Sequence, residues 1–204
     1  MAEPTADAPD WPGAGPISDG YPVVLRLEGR PVLVVGGGAV AARKVDGLRA
    51  AGARVTVIAP EVAPEIVAAP GVTIERRRYR GGDAAAYRLV ITATDDPLVQ
   101  QQVFDDAEAA GVWVNAADDP ERCSFLLPAV ARRGPVIVSV STQGASPALA
   151  GYLRDRLVDA LPPDLETATA ELARQRRAVR AAGGSTEGLD WRSRIVEVFE
   201  RLAG

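Results

Sequence analysis

Apolar positions along this chain fall into short continuous runs, set apart by stretches of helical composition. Val32 to Val35 is such a run of β-branched and aliphatic residues, the pattern of a parallel strand buried on both faces. Gly36, Gly37 and Gly38 follow at once. Ala39 to Ala51 then has helical composition, and Gly52 stops it. Arg54 to Ala59 reads as a second strand, Glu61 to Ala68 as a short helix ended by Pro70-Gly71, and Val72 to Arg76 as a third strand. Leu89 to Thr92 predicts a fourth strand. Pro97 suits the first turn of a helix with Asp96 as its cap, running to Ala110 before Gly111 ends it. Val112 to Asn115 gives the fifth strand.

This alternation predicts an α/β fold, a Rossmann-like doubly wound parallel sheet. In such sheets ligands bind beyond the carboxyl ends of the strands. Attention therefore falls on the glycine triplet, on Ala59-Pro60-Glu61, on Thr92 to Asp96, and on Asn115 to Pro120. The pattern then changes. Ser124 to Val130 and Val136 to Ser141 read as two strands joined by the basic turn Arg132-Arg133-Gly134-Pro135. A polar loop leads to Ser146-Pro147, a good helix start, and the helix continues to Leu161 with Leu149, Leu153 and Leu157 on one face. Pro162-Pro163 breaks it. Two further helices are expected over Asp164 to Ala182 and Leu189 to Leu202, interrupted at Gly183-Gly184.

The domain plan that follows is a leader at 1–20, a nucleotide-binding domain at 21–127, a dimerisation segment at 128–161 and a helical domain at 162–204. The leader is rich in Pro, Gly, Ala and Asp without periodicity, and is expected to be disordered. Tyr21 to Leu27 is apolar enough to be an ordered lead-in to the first strand. No apolar run approaches the roughly 18 residues that span a membrane, and no basic-then-apolar signal peptide opens the chain. Cys123 is the single cysteine, so no internal disulfide is possible, which fits a cytoplasmic location.

Charge narrows the chemistry. A net charge of −4 and a pI near 5.0 argue against a general nucleic-acid binder. Lys44 is the only lysine, so every other basic residue is arginine, a group suited to carboxylates and phosphates. A cluster of these, Arg76, Arg77, Arg78 and Arg80, follows the third strand and reads as a solvated edge. The chain has no histidine. A histidine base and a histidine metal site are both excluded, and acid–base work falls to Asp, Glu, Tyr, Cys or a cofactor.

Gly36, Gly38 and Ala41 match the dinucleotide pattern G-x-G-x-x-G/A between a strand and a helix. The first glycine makes the turn, the second lets backbone approach a pyrophosphate, and the third small residue packs helix on strand. The phosphates then meet the positive end of the helix dipole. The acidic residue that binds the ribose in NAD enzymes lies about 20 residues past the glycines. Glu61 comes a little late for that place and no arginine follows there to hold a 2′-phosphate, so NAD is favoured over NADP. A Tyr-x-x-x-Lys pair is missing, since Arg156 stands four residues after Tyr152. Carboxylates remain: Asp95 and Asp96 after the fourth strand, Asp118 and Asp119 after the fifth. Asp96 reads as a helix cap. Asp118 sits in a short loop before Pro120, where a substrate would meet a nicotinamide.

Five blocks of the sequence, YPVVLRLEGRPVLVVGGGAVAARK, VIAPE, ITATDD, NAADDPERCSFLLPA and VSVSTQGASPALA, resemble the precorrin-2 dehydrogenase family in order and spacing. This is the module that in some sirohaem synthases also acts as sirohydrochlorin ferrochelatase. The resemblance covers Tyr21 to Pro163. It implies NAD-dependent oxidation of precorrin-2 to sirohydrochlorin and, in bifunctional members, insertion of ferrous ion by the same site. It also implies Asp118 as acid/base, and cofactor contacts at Gly36, Gly37, Gly38, Ala39, Val40, Pro60, Glu61, Thr92, Thr94 and Asp95. Substrate carboxylates would be met at Asn115, Ser141, Thr142 and Ser146, with no resident metal. A homodimer is implied through the 128–161 segment, and no partner of nucleic acid or membrane is expected. No methyltransferase module follows within the sequence, so the stand-alone form is expected. The alternative reading is a nucleotide-sensing Rossmann regulatory domain without catalysis.

Overall fold

The β-branched run of the first strand is buried on both faces because helices cover the sheet on its two sides. The structure, a computed structural model, describes residues 20–117 and 119–203. The expected leader, from Met1 to Asp19, and the candidate Asp118 lie outside the described residues. The chain divides between Leu127 and Pro128 into two compact units.

The first unit holds β1 (Pro31–Val35), α1 (Ala39–Ala50), β2 (Arg54–Ile58), α2 (Pro64–Val67), β3 (Thr73–Glu75), β4 (Leu89–Thr92), α3 (Pro97–Ala109) and β5 (Trp113–Ala116). Its five strands form one parallel sheet in the order β3-β2-β1-β4-β5. The chain turns from one side of β1 to the other between β3 and β4, so the switch point of the topology lies beside β1. Alternate residues of β1 serve the two layers. Val32 and Val34 pack with Ala41, Ala42, Val45 and Leu48 of α1, while Leu33 and Val35 pack with Val103 and Ala107 of α3. Helix α3 starts where its sequence says it must: the Asp96 carboxylate accepts from the Leu98 and Val99 N–H groups at 3.0 and 3.4 Å.

Two expected elements are corrected. The helix expected from Glu61 starts only at Pro64, because the Ala63 N–H donates to the Gly37 carbonyl at 2.8 Å and holds residues 61–63 as a loop on the glycine turn. The strand expected from Ser124 begins only at Ala129. The Ser124 N–H donates to the Val114 carbonyl at 2.8 Å and its hydroxyl accepts from the Val114 N–H at 2.8 Å, which commits this stretch to the side of β5. The arginine cluster is also more than a solvated edge. The Arg77 guanidinium binds Glu75 and Asp83, and the Tyr79 hydroxyl donates to Asp106 at 2.9 Å over a 3-10 turn at Asp83–Ala86.

The second unit opens with an antiparallel pair, β6 (Ala129–Arg133) and β7 (Val136–Val140), turned at Gly134 with φ +55°. Arg132 and Arg133 therefore belong to the strand, and the Arg133 guanidinium donates to the Leu161 carbonyl at 3.2 Å. Helix α4 (Pro147–Asp159) packs on both strands, and α5 (Leu165–Ala181) packs with α6 (Trp191–Ala203). Among the described residues no helix is long and apolar enough to cross a membrane.

Candidate functional site at the carboxyl edge of the parallel sheet

The glycine turn is wedged between the exits of β2 and β4. A Cβ on Gly36 would stand 2.1 Å from the Ala93 carbonyl oxygen, and the residue has φ +118°. Its N–H donates to the Ile58 carbonyl at 3.0 Å, and the Ala93 N–H donates to the Val35 carbonyl at 2.7 Å. A Cβ on Gly37 would stand 2.0 Å from the Glu61 carbonyl oxygen. Gly38 differs. It is the extended N-cap of α1, and a Cβ there would meet nothing within 4 Å. The first N–H groups of α1, from Ala39 onward, have no intrahelical acceptor and face outward at the positive end of its dipole.

Beside this turn lies a cleft of about 250 Å³ lined by Val40, Ala93, Thr94, Asp95, Gln100, Ala117 and Asp119. The Gln100 amide donates to the Thr94 carbonyl at 2.6 Å, and the Thr94 hydroxyl accepts from the Asp96 N–H at 3.3 Å. Asp95 is exposed at the mouth, as are Pro60 and Glu61 at the exit of β2. Thr92 closes β4 fully buried, and its hydroxyl has no partner among the described residues, a rare condition for a buried polar group.

The loop after β5 is tied at its base. Asn115 is only 6% exposed, and its amide donates to Cys123 Sγ at 3.3 Å and to the Phe125 carbonyl at 2.9 Å. Cys123 Sγ also accepts from the Ala116 N–H at 3.2 Å and donates toward the Asp119 carbonyl at 3.2 Å. Burial pushes this thiol above its ordinary value of 9.0, which keeps it neutral and able to donate as well as accept. Arg122 pairs with Asp119 and donates to Gln101 at 2.8 Å. Residues on both sides of Asp118 are thus held to the sheet edge.

The structure brings the expected cofactor positions together: Gly36 to Val40, Pro60-Glu61, and Thr92, Thr94 and Asp95 all stand at the carboxyl ends of β1, β2 and β4. The three hydroxyls expected near the substrate share one loop of the second unit. Ser141 Oγ accepts from the Gln143 N–H at 3.0 Å, Thr142 Oγ1 accepts from the Ser146 N–H and donates to the Ser146 carbonyl, both at 3.0 Å, and Ser146 Oγ caps α4. Asn115, also placed near the substrate by sequence, spends its amide within the chain. Gln100 and Cys123 were not singled out for the site from sequence, whereas Asp119 was named beside Asp118 as a carboxylate after the fifth strand. Gln100 carried a signal, since a residue four past the cap Asp96 returns to the same helix face. Among the described residues no group of three or more His, Cys, Asp or Glu is placed to hold a metal ion.

Residues 23–129 match the model of a family described as "Putative NAD(P)-binding". The chain belongs to this family. Among curated relatives it is 45% identical over 148 residues to "Siroheme synthase 2" of Aeromonas salmonicida, covering 72% of this chain and 31% of the relative. It is 46% identical over 144 residues to "Siroheme synthase" of Nitrosococcus oceani, covering 69% and 31%. The chain thus spans about a third of the length of these relatives. Among solved structures it is similar to "SirC, precorrin-2 dehydrogenase", with a TM-score of 0.66 and 28% identity over 90% of this chain and 89% of that one. The family's dinucleotide fits the edge: open space at Gly38 and unpaired helical N–H groups stand where a pyrophosphate needs them.

Proposed function

We propose that this chain oxidises precorrin-2 to sirohydrochlorin with NAD. The observation that carries the reading is the meeting of the glycine turn, the Ala93–Asp95 strand end and the Ala117–Asp119 loop around one cleft. The relatives' names and the likeness to a precorrin-2 dehydrogenase support the substrate. Bound there, NAD supplies the hydride acceptor for the two-electron oxidation. The N–H groups at the start of α1 would hold its pyrophosphate, and Pro60-Glu61 its ribose. Thr94 and Asp95 would hold the cofactor farther along the edge.

Removing a hydride from the substrate ring leaves a proton to be taken up, and Asp118 is assigned that role as a carboxylate base. The braced loop supports the assignment: ties at Asn115, Cys123 and Arg122 fix both flanks of the position. Ferrous ion enters the reading as a second substrate, because iron insertion requires loss of two pyrrole protons that the same carboxylate would accept. The hydroxyls of Ser141, Thr142 and Ser146 are proposed to stiffen one loop for substrate carboxylates. A homodimer is proposed through α4, whose Leu149, Leu153 and Leu157 are 48%, 39% and 50% exposed. The test of the function is anaerobic incubation with precorrin-2 and NAD. Appearance of sirohydrochlorin and reduced cofactor in equal amounts supports the reading. Cofactor binding without turnover would point to a sensing domain.

A further inference from the structure

The parallel sheet carries a further cleft at its other end. About 330 Å³ in volume, it is lined by Pro31, Arg54, Val55, Thr56, Gly71 and Thr73. These residues stand around the starts of β1, β2 and β3, at the opposite edge from the glycine turn. Strand alternation decides which side chains face the cleft. Arg54 and Thr56 lie on the face of β2 opposite Val55 and Val57, which pack with α1. Thr73 of β3 stands directly opposite Thr56 in the parallel register and shares its face. Helix α3 packs on β4 and β5 on this side, and the strip over the starts of β2 and β3 is left open.

Arg54 is exposed and has no ion-pair partner among the described residues. The hydroxyls of Thr56 and Thr73 likewise make no hydrogen bond among the described residues. No carboxylate lines the cleft, so its one formal charge is positive. Glu28, from the turn before β1, lies against Gly52 and makes no ion pair with Arg54. The same edge carries two more exposed arginines. The Arg54 N–H donates to the Arg30 carbonyl at 2.9 Å and the Arg88 N–H to the Pro31 carbonyl at 3.0 Å, which sets the three backbones side by side. Threonine alone is ordinary on a strand surface. Here two of them share a concave, carboxylate-free cleft with an unpaired guanidinium. Adjacent strands are about 4.8 Å apart, a span from which two hydroxyls donate to one tetrahedral oxyanion while the guanidinium meets it from the side.

We propose that this cleft is a second anion site, which binds a phosphate group through the Arg54 guanidinium and the Thr56 and Thr73 hydroxyls. It lies away from the dinucleotide edge and stands independently of the function proposed there. Free phosphate and a small phosphate monoester share this chemistry, and the probes of the test separate them.

The test is amide-resolved NMR of the full chain, titrated at constant ionic strength with inorganic phosphate, glycerol 3-phosphate and citrate, with and without saturating NAD. Saturable shifts at Thr56, Gly71 and Thr73 are expected in both series, with a phosphate Kd of about 5 mM or tighter. Arg54→Gln removes the charge and T56V/T73V removes the hydroxyls at constant size. Each should weaken phosphate about fivefold or more while NAD affinity stays within about twofold, and the rest of each spectrum reports that the fold is kept. Tighter binding of glycerol 3-phosphate than of phosphate supports a monoester as the ligand, and the reverse order supports free phosphate. Shifts that persist unchanged in both variants, that disappear when NAD fills the glycine turn, or that fail to saturate by about 50 mM overturn the inference. Citrate binding tighter than either phosphate overturns it too. All of these leave the proposed function standing.

Discussion

Three adjacent glycines in one turn have different reasons for being glycine, and substitution separates them. Alanine at Gly36 must adopt φ +118° and place its Cβ 2.1 Å from a backbone oxygen of the β4 exit. Neither atom is at the end of a flexible side chain, so β1 and β4 would have to part. The left-handed conformation alone costs about 1–2 kcal/mol, and the displaced backbone raises the sum to about 3 kcal/mol or more. Alanine at Gly38 meets nothing within 4 Å and keeps an ordinary φ of −82°. Its cost is a weaker N-cap, about 0.5–1 kcal/mol. Chemical denaturation should therefore separate the two variants by about 2 kcal/mol. Cofactor titration should reverse the order of interest: Gly38→Ala stays folded but loses about tenfold or more in NAD affinity, because its methyl occupies the approach of the pyrophosphate. A folded Gly38→Ala protein that binds NAD with unchanged affinity would refute this division of labour.

Leu33 of β1 is fully buried on the face that α3 covers, so Leu33→Ala should cost about 2–5 kcal/mol in denaturant unfolding. Asp96→Ala removes the cap of α3 and should cost about 1 kcal/mol in the same measurement. Burial would raise the Asp83 carboxyl, but the Arg77 hydrogen bond and charge outweigh it and hold that carboxyl below its ordinary 3.8. Its contribution to stability is complete above that ordinary value and is lost as pH falls through the lower folded one. Asp83→Asn should thus flatten the acid limb of a stability profile measured from about pH 7 to pH 2, and an unchanged limb would count against the pair. Leu153→Asp on α4 should lower the molar mass of a dimer toward that of one chain in light scattering.

The parallel sheet was legible because β1 and β4 are runs of Val, Leu and Ile, β2 carries Val55, Val57 and Ile58, and glycines follow β1 and come just before β2 and β5, local signals that need no knowledge of neighbours. The cap at Asp96 was legible for the same reason. The strand expected at Ser124 was misplaced because its apolar residues look alike whether they pair with a hairpin partner or lie beside β5. The hydrogen bonds of Ser124 and Asn115 decide between these, and they join residues eight to ten apart that no periodic pattern links. The arginine cluster hid a difference that only the fold shows: Arg77 meets Asp83 and Glu75, while Arg76 and Arg78 stay exposed. At the candidate site, the glycine turn and the loop ends of β4 and β5 could be named from position alone. The bracing by Cys123 could not, because an isolated cysteine gives no sequence pattern.

The account turns on Asp118 as the proton acceptor of an NAD-dependent oxidation. The most direct measurement compares wild type and Asp118→Asn in anaerobic precorrin-2 conversion, followed by absorbance, with NAD binding measured on the same samples. The account predicts NAD-dependent sirohydrochlorin formation by the wild type and loss of turnover in the variant by about a hundredfold or more, with NAD affinity retained. Turnover near the wild-type rate in a variant that binds NAD normally would contradict it.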